Sequence, residues 1–170
     1  MADDTLESLA AKLARIDDER TIERLIYSYG HILDFGTPQA FAAIFTDDAV
    51  IEIQHAFIQV LKLDVPFPPE GAAFLAGKGA VQTDKGYAFV GHEAIVGFVT
   101  RAPSTVRSLH VSSQPLVTIT GDDTASARTY LRIYRQAHGE APQLLNFGRY
   151  HDELVRTDDG WRIARRICEL

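Results

Sequence analysis

The stretch RTIERLIYSYGHILD, residues 20–34, decides the fold of this chain. Its apolar residues recur every three or four positions, which is the period of an α-helix with one buried face. The carboxylates of Asp17-Asp18-Glu19 suit a helix start, because acids favour the positive end of a helix dipole. The sequence therefore predicts two opening helices or one bent helix. Four apolar residues keep a helical interval upstream: Leu6, Leu9, Leu13 and Ile16.

Shorter elements follow this helical segment. Gly36 and Pro38 end the long helix, because glycine favours the conformation found after a helix and proline cannot continue one. A second helical stripe and then an alternating apolar run come next. We predict a short helix from Pro38 to Phe45, a turn at Thr46-Asp47-Asp48, strands from Ala49 to Ile53 and from Ala88 to Gly91, and a helix over residues 92–99.

The C-terminal half has the pattern of an antiparallel meander, with turn signals between long alternating segments. Helices first and a meander last predict an α+β fold. We expect a curved, cone-like antiparallel sheet with the N-terminal helices on its concave face, in one domain of residues 1–170. Four long strands are predicted: Val106 to Ile119, Thr124 to Gln136, Gln143 to Arg156 and Trp161 to Glu169.

Residues 54–87 form an insertion in this domain. The segment is rich in Pro and Gly, and so long a loop is uncommon in a compact domain unless it is a lid or a partner-binding arm. It is also too apolar for a solvated linker, so we expect it to pack over a pocket or against another subunit. Its apolar residues are Phe57, Ile58, Val60, Leu61, Leu63, Phe67, Phe74 and Leu75.

Composition limits the partners that we expect. The net charge is −6 and the basic residues are scattered, which argues against nucleic-acid binding. No apolar run approaches the ~20 residues of a membrane span, and the N-terminus is acidic, so we expect a cytoplasmic protein without a membrane partner. Cys168 is the only cysteine, which excludes an internal disulfide and a thiolate metal site. We expect a homo-oligomer, a dimer or a trimer.

Two polar residues carry most of the chemistry in this sequence. Asp34 ends the long helix, and His110 lies in an apolar strand. An aspartate and a histidine in an enclosed space make a general base near neutral pH. Asp34 lies off the apolar face of its helix. For its side chain to reach His110, we expect the helix to loosen before Gly36. A solvated helix end at Asp34 and a hydrogen-bonded core histidine at His110 are the alternatives.

The order of elements and several motifs resemble the SnoaL-like branch of the nuclear-transport-factor-2-like (NTF2-like) superfamily. The resemblance covers nearly the whole chain except residues 54–87. Its cone-shaped fold hosts dehydratases, isomerases, cyclases and binding modules, so the resemblance says more about the fold than about the reaction. The motifs are Arg20 to Asp34, Phe45 to Val50, Val90 to Ile95, Tyr150 to Leu154 and Gly160 to Ile163.

The polar layout is similar to that of bile-acid 7α-dehydratase and scytalone dehydratase within this superfamily. The resemblance implies that Asp34 and His110 form a catalytic pair and that Tyr29 binds or polarises the substrate. Tyr29 as an ordinary core aromatic is the alternative. The bile-acid enzyme also has a strand aspartate, whereas the matching region here, Leu131 to Tyr134, has no carboxylate. This departure argues for a different substrate.

We therefore predict a cofactor-independent lyase (a dehydratase) or isomerase for an apolar cyclic small molecule, with no cofactor and no metal. Ser112 shares one face of its strand with His110, and we expect it to bind substrate together with Asn146 and Tyr130. An exposed or interfacial position is the alternative for Tyr130. Dehydration and isomerisation begin with the same proton abstraction, so both remain open. A non-catalytic binding or assembly module of the same fold is the other candidate.

Overall fold

The structure, a computed structural model, describes residues 6–60, 70–100 and 106–170. This part of the chain contains five helices and seven strands. The helices are α1 (Leu6–Phe35), α2 (Pro38–Ala42), α3 (His55–Val60), α4 (Glu70–Gly77) and α5 (Gly91–Val99). The strands are β1 (Phe45–Gln54), β2 (Val81–Gln82), β3 (Gly86–Val90), β4 (Arg107–Gly121), β5 (Thr124–Gln136), β6 (Gln143–Thr157) and β7 (Gly160–Glu169).

The strands form one sheet in the order β2-β3-β1-β7-β6-β5-β4. Strands β4 to β7 are the predicted meander, and each pairs antiparallel with the next. The α+β prediction is thereby confirmed, with one difference: β1 lies beside β7 and runs parallel to it. The sheet is therefore mixed and mostly antiparallel.

Helix α1 is a single continuous helix, so the prediction of a second helix start near Asp17 was wrong. No glycine or proline interrupts residues 6–29, and nothing forces the backbone to break. The carboxylate of Asp18 instead binds the last hairpin of the sheet. It accepts hydrogen bonds from Arg156 Nη2 at 2.6 Å and from Trp161 Nε1 at 3.1 Å.

The boundaries around β1 also differ from the prediction. Helix α2 ends at Ala42, three residues early, and begins with Thr37 as its N-cap, whose Oγ1 accepts a hydrogen bond from the Ala40 amide at 3.1 Å. The predicted turn at residues 46–48 is part of β1, where the pairing with β7 is irregular between Phe45 and Val50. The acidic residues mark an irregularity within a strand and not a turn.

The core lies between α1 and the sheet. Ile22, Ile26 and Tyr29 are the buried side of α1. The described parts of the insertion form α3, α4, β2 and the first residues of β3, and Phe57, Ile58 and Leu75 are buried. Predictions for Leu61, Leu63 and Phe67 lie outside the described residues. None of the described helices is both long enough and apolar enough to cross a membrane.

Candidate active site

Strand β4 crosses α1 at Gly30. A Cβ at this position would lie 2.2 Å from the carbonyl oxygen of His110, so the two backbones can approach this closely only at a glycine. Asp34 lies four residues later, on the same side of the helix. The helix keeps its regular hydrogen bond from Gly36 N to Ile32 O at 2.8 Å, so the expected loosening does not occur. The close crossing at Gly30 brings Asp34 to the strand.

Asp34 and His110 are hydrogen-bonded to each other twice. His110 Nδ1 lies 2.6 Å from Asp34 Oδ1, and the His110 amide donates to Asp34 Oδ2, also at 2.6 Å. The Asp34 side chain is 1% exposed and that of His110 is 10% exposed. Asp34 thus favours the tautomer with the proton on Nδ1, which leaves Nε2 as the nitrogen that can accept a proton.

His110 lies in the wall of a cavity of about 200 Å³. The cavity is mostly apolar, and residues from the helix, the sheet and the insertion contribute to it. Its polar groups are a histidine, a serine, a cysteine and two tyrosines, which suits a site that orients a mostly apolar ligand through a few polar contacts. The lining residues are Tyr29, Leu33, Ile53, Phe57, Ile58, Phe74, Leu75, Phe98, Ser108, His110, Ile133, Leu145, Tyr150 and Cys168.

A buried ion pair supports the two tyrosines of the cavity. Arg166 Nε and Nη2 donate to the two carboxylate oxygens of Asp152, each at 2.7 Å, and both side chains are fully buried. The Arg166 guanidinium carbon lies 4.0 Å from the ring centroid of Tyr29 and 4.0 Å from that of Tyr150. The cation therefore contacts both rings by cation–π interactions.

The sequence alone did not indicate this buried ion pair or its contacts with the two tyrosines. Arg166 lies in the last strand close to Arg162 and Arg165, and the pattern of residues there does not distinguish it from an exposed arginine. Asp152 and Arg166 are register partners on neighbouring strands, at positions that point into the core. The alternation along β6 and β7, which places both residues on the inward face of the sheet, was the signal in the sequence that could have indicated their burial. Charged residues are almost never fully buried unless they are paired, which argued against that interpretation.

Burial keeps the phenol and thiol groups of the cavity neutral. Burial raises the pKa of Tyr29 to about 12, although the nearby Arg166 charge acts in the opposite direction. Burial raises the pKa of Tyr150 well above its usual value and that of Cys168 to about 12. The rings of Tyr29 and Tyr150 pack edge to face, with their centroids 5.3 Å apart. Because of the raised pKa values, each hydroxyl keeps its proton at neutral pH and can donate it to a ligand in a hydrogen bond.

The structure does not bring the three expected substrate-binding residues to this cavity. Ser112 lies farther along β4, and its Oγ is buried without a hydrogen-bond partner among the described residues. The buried Asn146 donates to the carbonyl of Phe57 at 3.4 Å and accepts from the Phe147 amide at 2.8 Å, so it ties β6 to α3. Tyr130 is 53% exposed, on the opposite face of β5 from the buried Leu131.

Titratable residues elsewhere do not gather into a metal site in the described part of the chain. No three His, Cys, Asp or Glu side chains within residues 6–60, 70–100 and 106–170 lie where they could share a metal ion. The polar groups of the cavity are instead hydrogen-bond donors and acceptors. They suit proton transfer to and from an organic ligand.

Sequence comparison gives the family directly. The profile described as SnoaL-like domain matches residues 14–167, which is most of the chain. The chain belongs to the SnoaL-like domain family. No curated protein matches the sequence. The SnoaL-like match includes most of α1, nearly the whole sheet and both members of the Asp34–His110 pair.

Solved structures share the NTF2-like fold of this SnoaL-like chain. An NTF2-like protein with a cystatin-like fold from Novosphingobium aromaticivorans has a TM-score of 0.72 and 22% identity, covering 99% of this chain and 92% of its own. A protein from the same organism that carries the provisional name scytalone dehydratase has a TM-score of 0.65 and 18% identity, with 91% and 84% covered. A provisionally named aromatic ring hydroxylase, also from this organism, has a TM-score of 0.61 and 25% identity, with 91% and 90% covered.

Proposed function

We propose that this SnoaL-like protein is a cofactor-independent lyase, a dehydratase, or an isomerase that acts on an apolar cyclic small molecule. The observation that carries the proposal is the Asp34–His110 pair in the wall of an apolar cavity. A buried carboxylate that accepts two hydrogen bonds from one histidine residue orients the ring and stabilises the imidazolium that forms on protonation. This is the arrangement that general-base catalysis requires.

The first step would be proton transfer from carbon to His110. Nε2 accepts a proton from a carbon next to a carbonyl group, and the electrons of the broken C–H bond move onto the carbonyl oxygen. The hydroxyl groups of Tyr29 and Tyr150, which both line the cavity, are available to hydrogen-bond this oxygen as its negative charge develops. Because their pKa values are raised, both phenols remain protonated donors at neutral pH.

The second step decides between the two reactions. In a dehydration, the enolate re-forms the carbonyl, the new double bond expels a hydroxyl group, and the imidazolium returns its proton to that group as water leaves. In an isomerisation, the imidazolium returns the proton to another carbon, and the double bond migrates. Both routes restore neutral His110 and need no external oxidant or reductant.

The lining of the cavity favours a compact, mostly apolar substrate. Leu131 is buried and Ile133 lines the cavity, in the region where the resemblance to bile-acid 7α-dehydratase called for a carboxylate. No second acid is therefore available there for the leaving group. Binding would come from apolar contacts with residues such as Phe57, Ile58 and Leu75, since apolar burial contributes about 25 cal/mol per Å².

The dyad can be tested with two conservative variants. Asp34→Asn and His110→Gln should retain the fold and lower turnover of cyclic hydroxyketones or unsaturated ketones by ~10²-fold or more, the scale for a general base. Turnover is followed by mass spectrometry for loss of water and by ultraviolet absorbance for a new conjugated double bond. His151→Gln is the matched control, since His151 lies on β6 outside the cavity lining. Unchanged turnover in folded His110→Gln would exclude this mechanism.

A binding or assembly module is the second candidate. One neighbour from N. aromaticivorans is the β subunit of a provisionally named aromatic-ring-hydroxylating dioxygenase, with 14% identity and a TM-score of 0.65, so it supports a role for this fold as a subunit. If the protein is a binding module, Asp34→Asn and His110→Gln should change the ligand affinity, and the wild-type protein should show no turnover of the ligands. The same ligand panel therefore separates the two candidates.

A further inference from the structure

The N-terminal part of α1 carries an apolar stripe that the rest of the described chain does not cover. The first buried residue of the helix is Ile22. Residues 6–17, which we call the α1 arm, are a continuation of the same helix with exposed apolar side chains. The exposed fractions are 87% for Leu6, 44% for Leu9, 66% for Leu13 and 53% for Ile16.

The spacing of these four residues is that of a coiled-coil seam. The intervals are three, four and three residues, so the side chains occupy the a and d positions of two successive heptads, with Leu6 and Leu13 at a. A short isolated helix is marginal in water because its nucleus is costly. The α1 arm avoids this cost, because it extends a helix that the sheet already holds.

The seam points away from the body of the molecule. At 100° per residue, its centre lies roughly 150° around the helix from the face formed by Ile22, Ile26 and Tyr29. Two α1 arms that pack seam to seam would therefore have their two bodies on the outer sides of the pair. The geometry permits self-association without a clash between the sheets.

Charges beside the seam favour a parallel pair. Lys12 occupies the g position and Asp17 the e position of the next heptad. In a parallel pair, g of one helix lies beside the following e of the other, so Lys12 meets Asp17 of the second copy. In the antiparallel pair that aligns Leu9 with Leu13, the two Lys12 side chains would approach each other. The arm carries two acids, Glu7 and Asp17, beside the basic residues Lys12 and Arg15, a mixture that does not suit an anionic lipid surface.

We propose that the α1 arm is a self-association element that pairs in parallel with the α1 arm of a second copy of this chain. The paired seam would bury the stripe of Leu6, Leu9, Leu13 and Ile16. This interaction does not depend on the proposed catalytic activity. The pairing gives the homo-oligomer expected from the sequence a specific structure, in which each of the two copies keeps its own separate cavity.

The test compares two double variants of the full chain by light scattering during size exclusion, over a dilution series. Leu9→Glu/Leu13→Glu places charges in the seam, and Ala11→Glu/Ala14→Glu places the same charges on the other side of the arm, where both alanines are exposed. We expect the seam variant to lose half of the wild-type mass and the control to retain it. All three should unfold at similar temperatures, since the arm lies outside the core. Equal masses for the three proteins, or a monomeric wild type, would overturn the proposal.

Cysteine cross-linking tests the parallel orientation. A parallel pair places Leu9 beside Leu9 of the second copy, so Leu9→Cys should form a covalent dimer on mild oxidation, whereas Ala11→Cys should not. The native Cys168 is buried and does not compete. An antiparallel pair would instead cross-link only a mixture of Leu9→Cys and Leu13→Cys proteins, and that result would contradict the parallel arrangement.

Discussion

At the scale of single residues, Gly30 sets the distance between the helix and the strand that carry the dyad. Gly30→Ala would place a methyl group 2.2 Å from the His110 carbonyl oxygen, so the two backbones must separate. We expect a loss of about 1–3 kcal/mol in the free energy of unfolding, the usual range for overpacking, measured by denaturant titration.

Gly77 provides the matched control for this substitution. It lies at the end of α4, and a Cβ there would have nothing within 4 Å. Gly77→Ala should therefore leave stability unchanged or raise it slightly, because alanine is the better helix former. If Gly30→Ala were as stable as Gly77→Ala, the close crossing would not determine the position of the dyad.

Arg166 is the residue whose loss should cost most stability. Arg166→Met removes the cation from a fully buried pair and leaves the Asp152 carboxylate without its partner, which typically costs 3–5 kcal/mol, so about that loss is expected. Arg149→Met is the control, since the Arg149–Glu169 pair is half exposed on the Arg149 side and exposed pairs contribute about 1 kcal/mol or less. Thermal unfolding of both variants measures the difference. Equal losses would mean that the buried pair has no special role.

At the scale of elements, Asp18 ties the middle of α1 to the β6–β7 hairpin. The hydrogen bond from Arg156 lowers the pKa of Asp18, and partial burial opposes this effect. A carboxyl with a lowered pKa in the folded state stabilises the fold above its unfolded pKa of ~3.9. That contribution is lost as the pH falls through the folded value.

Asp18→Asn should therefore lower the melting temperature by a few degrees at pH 7, about what a pair worth up to ~1 kcal/mol produces. The difference from wild type should shrink below pH ~4 and vanish at lower pH, because the wild-type carboxyl is then protonated too. Asp158→Asn, at an exposed residue of the same hairpin, is the control. A difference that stays constant from pH 7 to pH 2 would contradict a role for the Asp18 charge.

Elements with a strong local pattern could be predicted from the sequence. The apolar intervals of α1 and the alternation of β4 to β7 are local, so they gave the main helix and the meander. The parallel pairing of β1 with β7 joins residues far apart in the chain, such as Ile51 and Arg166, and no local pattern specifies it. The insertion was predicted to pack, but α3 and α4 were too short to show a helical period.

The residues of the candidate site also divide into those that the sequence could indicate and those that depend on the folded structure. The contact between Asp34 and His110 was predictable because the family resemblance pointed to both residues, and the polar face of β4 pointed to His110 as well. Tyr150 and Arg166 were not predicted as site residues, since a tyrosine and an arginine in alternating strands are ordinary surface residues until the inward face is known. Gly30 stood in the quoted helix, but its role requires knowledge of the strand that crosses it.

At the scale of the whole molecule, three separate parts of the chain enclose one cavity. Helix α1 supplies Tyr29 to the lining, and its Asp34 holds His110. The meander supplies His110 and Tyr150, and the insertion supplies Phe57 with other apolar residues. The central claim is that this assembly holds His110 as a base, with Nδ1–H bound by Asp34 and Nε2 available to a ligand. The claim concerns a proton position, so it can be tested without a known substrate.

The most direct measurement is a long-range ¹H–¹⁵N correlation spectrum of protein labelled at its six histidines, with His110→Gln used to assign the His110 signals. In the neutral state of His110, our account predicts a proton on Nδ1, an unprotonated Nε2, and loss of the strongly hydrogen-bonded Nδ1–H signal in Asp34→Asn. A proton on Nε2 in the wild type, or an Nδ1–H signal unchanged in Asp34→Asn, would contradict it.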